Sequence, residues 1–178
     1  QPREPASYAR VLDEMQQAGY CGTELGDWGF LPTDPAALAA ELERRELTLL
    51  GAFVPIAFWD EAVVAAGEEQ ALRVARLLAA VNPRAFVVLA DDNCRVPERA
   101  QRAGRIVAAD ELPAAAWRVF GANATRVARR VLAETGLRSV FHHHGGGYVE
   151  TPREVERLLA HTSAELLGLC LDPGHFAF

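Results

Sequence analysis

Leu137-Arg138-Ser139-Val140-Phe141-His142-His143-His144-Gly145 joins a short apolar-rich run directly to three imidazoles. The run has the length and character of a buried strand, and its polar tip falls where a loop must begin. The same arrangement returns in Leu166 to Leu171, followed by Asp172-Pro173-Gly174-His175. Four of the five histidines lie in these two tips. Imidazoles and a carboxylate at the ends of neighbouring strands are the donor chemistry a divalent metal needs.

Strand and helix patterns alternate along the chain. Tyr8, Val11, Leu12 and Met15 repeat at helical spacing within Ser7 to Ala18, and Gly19 stops the helix. Gly22 to Leu25 reads as a strand. Asp34 followed by Pro35 is an N-cap with proline at the first helical position, opening a helix to about Arg45. Leu47 to Val54 is a strand whose near-continuous apolar character predicts burial on both faces. A helix over Glu68 to Ala80 and a strand over Ala85 to Ala90 follow. Asn93 to Asp110, charged and weakly periodic, is expected to be an excursion loop. Trp117 to Glu134 is a helix ended by Gly136, and Thr151-Pro152-Arg153-Glu154 is a capping box opening the last long helix.

Repeated strand–helix units with buried strands imply a parallel sheet. Glu24, Asp91, Asp92, His142 to His144, Asp172 and His175 all fall at C-terminal strand ends, where a (β/α)-barrel gathers its functional groups. A doubly wound sheet would instead show a glycine-rich phosphate turn after its first strand, and none is present. The expectation is a single α/β domain over 1–178, a barrel represented by five strands and lacking its first and last ones. It is expected to be part of a longer chain.

The net charge of −6 argues against a phosphate-backbone binder. No apolar run reaches the ~20 residues of a membrane span, and Gln1 to Pro5 has no secretory-signal pattern. Cys21, Cys94 and Cys170 are too far apart for a metal motif and are expected to be buried, reduced thiols. These features together predict a cytoplasmic protein. Gly145-Gly146-Gly147 lacks the Lys and Ser/Thr of a phosphate loop, which excludes nucleotide binding there.

Strand alternation predicts that His142 and His144 share one side and His143 the other. Glu24 is placed to bind a sugar hydroxyl or transfer a proton, with a structural carboxylate as the alternative. Trp59, like Trp28, Phe30, Phe53 and Phe58, lies in or near a strand-end loop, where an aromatic face can pack on a sugar or on the core. Asp91 and Asp92 are expected in a solvated turn.

At these residues the chain resembles the sugar phosphate isomerase/epimerase superfamily of xylose-isomerase-like TIM barrels, and within it the inosose (2-keto-myo-inositol) dehydratases. The matching segments are Gly19 to Gly26, Gly51 to Pro55, Phe141 to Gly145 through Thr151-Pro152, and Leu171 to His175. The resemblance implies a (β/α)8 barrel and one divalent metal, manganese or cobalt foremost, with zinc or magnesium as alternatives. It implies His142 and Asp172 as metal ligands, His142 standing where most of the superfamily has a Glu. His175 matches a residue that contacts substrate or, in multi-metal members, a metal. Activity on a keto-inositol in inositol catabolism follows: the metal polarises the ketone, an enediolate forms, and water leaves. His144 and His175 are the candidate acid and base because imidazole titrates near neutral pH; Glu24 and Trp59 are the candidate substrate contacts. The expected partner is a small polyol or sugar, not nucleic acid or membrane, with a homo-oligomer left open. The alternatives are a metal-dependent sugar or sugar-phosphate isomerase or epimerase and a non-catalytic sugar-binding homologue.

Overall fold

Five parallel strands pair strictly in chain order, β1-β2-β3-β4-β5, in a computed structural model that describes residues 7–93 and 95–177. They are β1 (Gly22–Glu24), β2 (Thr48–Pro55), β3 (Phe86–Ala90), β4 (Arg138–His142) and β5 (Leu167–Cys170). Gln1 to Pro5 and Cys94 lie outside the described residues. A doubly wound sheet reverses strand order at a switch point, whereas staves of a barrel follow one another, so the order settles the architecture.

The helices are α1 (Tyr8–Gln17), α2 (Pro35–Glu43), α3 (Val64–Val81), α4 (Pro97–Ala100), α5 (Ala114–Thr135), α6 (Pro152–His161) and α7 (Pro173–Phe176). The expected stop and start signals operate. Asp34 accepts from the Ala37 N–H at 2.9 Å, Gly136 takes the left-handed conformation after α5 at φ 74°, and Thr151 and Glu154 form a capping box. Helix α3 begins four residues before the expected Glu68. The segment 93–110 is not structureless: it holds α4 and a 3-10 turn over Ala108–Asp110.

Among the described residues, helices pack on one face of the sheet only. Leu49, Val54, Val87, Leu89, Phe141 and Leu167 are buried there with Phe58, Trp117 and Phe120. The opposite, concave face is open, with Leu50, Phe53 and Phe86 exposed. The expectation that β2 is buried on both faces is therefore corrected, because no second layer covers the concave side among the described residues. A bulge sits where the register passes from Thr23↔Leu49 to Glu24↔Gly51. Leu50 is the extra residue, so exposure falls on Thr48 and Leu50 before the bulge and on Phe53 and Pro55 after it.

Cys21 is exposed and Cys170 half-buried, which corrects the expectation of buried thiols; both are unpaired. No helix among the described residues is long and apolar enough to cross a membrane.

Candidate metal centre

Strand β4 carries its alternation one step past its last ladder pair, His142↔Cys170. His142 and His144 emerge on one side and His143 on the other, as expected. His175 reaches the first pair from α7, with ring centroids 5.2 Å from His142 and 4.3 Å from His144. One ring nitrogen from each of His142, His144 and His175 lies within 4.8 Å of the other two. Phe53 stands edge-on to His142 at 6.0 Å.

Asp172 joins this cluster through one oxygen. Its Oδ1 accepts the Gly174 and His175 amides at 2.7 and 3.2 Å, capping α7, while Oδ2 lies 3.9 Å from His175 Nε2. The His175 and Gly174 amides hold its carboxyl below the usual range despite some desolvation, and the nearby imidazoles add to this. Burial, and then the neighbouring His144 and His175, push the His142 pKa down. A neutral imidazole beside an ionised carboxylate is the protonation state a divalent transition ion requires. The donor set therefore fits a divalent metal. His142, His144 and His175 form its convergent part, and Asp172 stands beside them with one free oxygen.

His143 is fully buried, and its Nε2 accepts the Asp172 N–H at 3.0 Å. Burial, and then the charge of His175, lower its pKa.

Two open pockets flank the cluster. Ala103, His144, Gly145, Asp172, Gly174 and His175 line one of about 470 Å³. The other, about 430 Å³ on the concave side, includes Glu24, Phe53, His142, Cys170 and Asp172 in its wall. Glu24, exposed at the end of β1, is thus brought to the cluster. Trp59 is not in either wall: it packs on the core and edge-on against Tyr148 at 5.5 Å, with its indole N–H buried. The core claims its ring.

Asp91 corrects the solvated-turn expectation. It is only 3% exposed, with Oδ2 accepting the Tyr148 N–H at 2.8 Å. Burial pushes its carboxyl up to about 7, against the pull of that amide. Arg99, which has no local signal in the sequence, lies near enough to lower it in turn. Arg99 donates to both oxygens of Glu154 at 2.7 Å, to the Asp110 carbonyl at 2.8 Å and to the Gly147 carbonyl. Glu150 accepts the Gly104 and Gly146 amides at 2.7 and 2.6 Å. These contacts clamp the 93–110 excursion onto the loop behind His144.

The glycine run makes that approach possible. A Cβ on Gly146 (φ +87°) would stand 3.4 Å from both Ala100 Cα and Asn93 O. Asn93 then reaches His144, Nδ2 to Nδ1 at 3.0 Å, and that Nδ1 also lies 2.8 Å from the Gly145 carbonyl. Of this network only the Thr151/Glu154 box had a local signal; Arg99 is one of many surface-type arginines until the fold buries it.

Parallel staves in chain order, with imidazole and carboxylate at their C-terminal tips, define part of a (β/α)-barrel whose donors fit a divalent metal. A solved xylose isomerase-like TIM barrel protein from Mycobacterium smegmatis, in complex with magnesium, superposes with a TM-score of 0.72 at 13% identity, over 94% of this chain and 56% of that one. No family model matches the chain. It is 39% identical to the rhizopine catabolism protein MocC of Rhizobium meliloti over 179 residues, 95% of this chain and 50% of the relative. It is 28% identical to the inosose dehydratase of Geobacillus kaustophilus, over 93% of this chain and 53% of that protein. The chain is a homologue of MocC and the inosose dehydratases, on the xylose isomerase-like barrel scaffold. It spans about half the length of these relatives.

Proposed function

We propose that this chain carries the histidine-bearing half of a metal-dependent dehydratase that removes water from a keto-inositol. The observation that carries the proposal is the convergence of His142, His144 and His175 within 4.8 Å beside Asp172, in a homologue of proteins named inosose dehydratase.

His142 and Oδ2 of Asp172, residues that share the concave pocket with Glu24, would hold the cation. A bound divalent ion, manganese or cobalt foremost, supplies positive charge that polarises the ketone and lowers the cost of the enediolate. His144 and His175, both in the wall of the 470 Å³ pocket, move protons. Contacts from Asn93 Nδ2 and the Gly145 carbonyl to Nδ1 fix the His144 ring, and its unprotonated nitrogen takes the proton alpha to the ketone. His175 protonates the departing beta-hydroxyl, so that one C–H and one C–O bond break and the products are a diketone and water. Glu24 contributes a hydroxyl contact from the rim. Inositol catabolism in the cytoplasm is the setting this reading implies.

The test is to supply inosose to the full-length protein and follow the ultraviolet absorbance of an enolised diketone. The absorbance should rise in wild type. His142→Gln should lose both metal and turnover, and His144→Gln should retain metal while losing turnover. Silence with inosose, alongside epimer formation from ketoses, would replace the dehydratase with an isomerase.

A further inference from the structure

The ladder between β4 and β5 ends at His142↔Cys170, yet the Asp172 N–H, two residues further on, is not left to solvent. It donates to the Nε2 of His143. A side chain thus takes over where backbone pairing stops. The next links run onward: Asp172 Oδ1 accepts the His175 amide, and the His175 ring meets His144 at 4.3 Å. The place of every donor on the β5 side of the cluster follows from where Asp172 is tied.

Because Nε2 accepts, the ring proton of His143 must sit on Nδ1. That atom is buried and has no hydrogen-bond partner among the described residues. A buried donor without a partner costs free energy. Phe176 packs edge-on at 5.0 Å, so an apolar ring at position 143 would fill the same space without that cost. Stability alone does not account for an imidazole here.

We propose that His143 is a positioning residue: its Nε2 holds the acidic tip of β5 against the imidazole tip of β4 and thereby sets the spacing of the metal donors. This rests on the metal reading above. His143 touches neither ion nor substrate; it acts through Asp172.

The experiment uses full-length, metal-free protein, Co²⁺ as the probe, and two variants. His143→Phe keeps a ring and removes the acceptor; His143→Gln restores an acceptor near the Nε2 position. Co²⁺ affinity should fall about 10- to 100-fold in the Phe variant, as for loss of other groups that orient metal ligands, and recover in the Gln variant. Without metal, hydrogen exchange of the Asp172 amide should quicken about ten-fold in the Phe variant and return to the wild-type rate in the Gln variant. A change confined to packing would move neither in this pattern. Unchanged Asp172 exchange in the Phe variant, or equal loss of Co²⁺ binding in both variants, overturns the role of His143 alone. A wild-type protein that takes up no Co²⁺ overturns the metal reading and this role with it. Should the Phe variant not fold, ¹⁵N spectra of the wild-type ring decide: a proton on Nε2 refutes the proposal, and one on Nδ1 supports it.

Discussion

Replacing Arg99 with methionine keeps most of the side chain's volume and removes its charge. Arg99 and Glu154 have side chains only 2% and 0% exposed, so neither charge is relieved by water. The substitution strips Glu154 of two bonds at 2.7 Å and leaves the carbonyls of Gly147 and Asp110 without this donor. Removing one partner of a buried pair costs about 3–5 kcal/mol. In a domain of this size that lowers the melting temperature by roughly 10 °C.

The deficit should also depend on pH. Burial already raises the Glu154 carboxyl despite the opposing pull of Arg99 and the Thr151 amide; without Arg99 it rises further. A carboxyl raised in the folded state contributes stability below its unfolded pKa and loses it as pH climbs through the folded value. The R99M protein should therefore approach wild type near pH 4 and fall away toward pH 8. Adding Glu154→Gln, which cannot ionise but can still accept the Glu150 and Thr151 amides, should recover a good part of the loss at pH 7. Urea unfolding across this pH range measures all three curves. A deficit under about 1 kcal/mol, or one that does not change with pH, would refute the view that Arg99 compensates a buried charge.

The Asp91 carboxyl, pushed from 3.8 up to about 7, should cost stability as pH rises from about 4 to 7, by about 4 kcal/mol at full ionisation. Asp91→Asn should flatten the pH 4–8 stability curve, and a curve parallel to wild type would show that the carboxyl is not strained. Gly121 on α5 faces the His161 carbonyl and Cβ of α6 so closely that an added methyl must push the helices apart. Gly121→Ala should destabilise by about 1–3 kcal/mol despite its better helix propensity, as thermal unfolding will show. His142→Ala should abolish Co²⁺ uptake by metal-free protein while leaving far-UV circular dichroism unchanged, since the side chain is only half-buried; titration calorimetry reads the binding.

The alternation of elements, the capping residues at Asp34, Gly136 and Thr151, and the polar strand tips were all legible from local order, because caps and periodicity act over a few residues. The strand tips also disclosed donors of a kind that suits a metal, and the two-residue period of a strand was enough to separate His143 from His142 and His144. Only the tertiary structure decided that His175 joins the latter two, that Asp172 spends one oxygen on α7, and that Trp59 belongs to the core. It alone turned Asp91, Arg99 and Glu154 from ordinary charged residues into a buried clamp behind His144. Those outcomes depend on which distant segments meet and exclude water, and burial of a charge is a property of the assembled layers that no window of neighbouring residues contains.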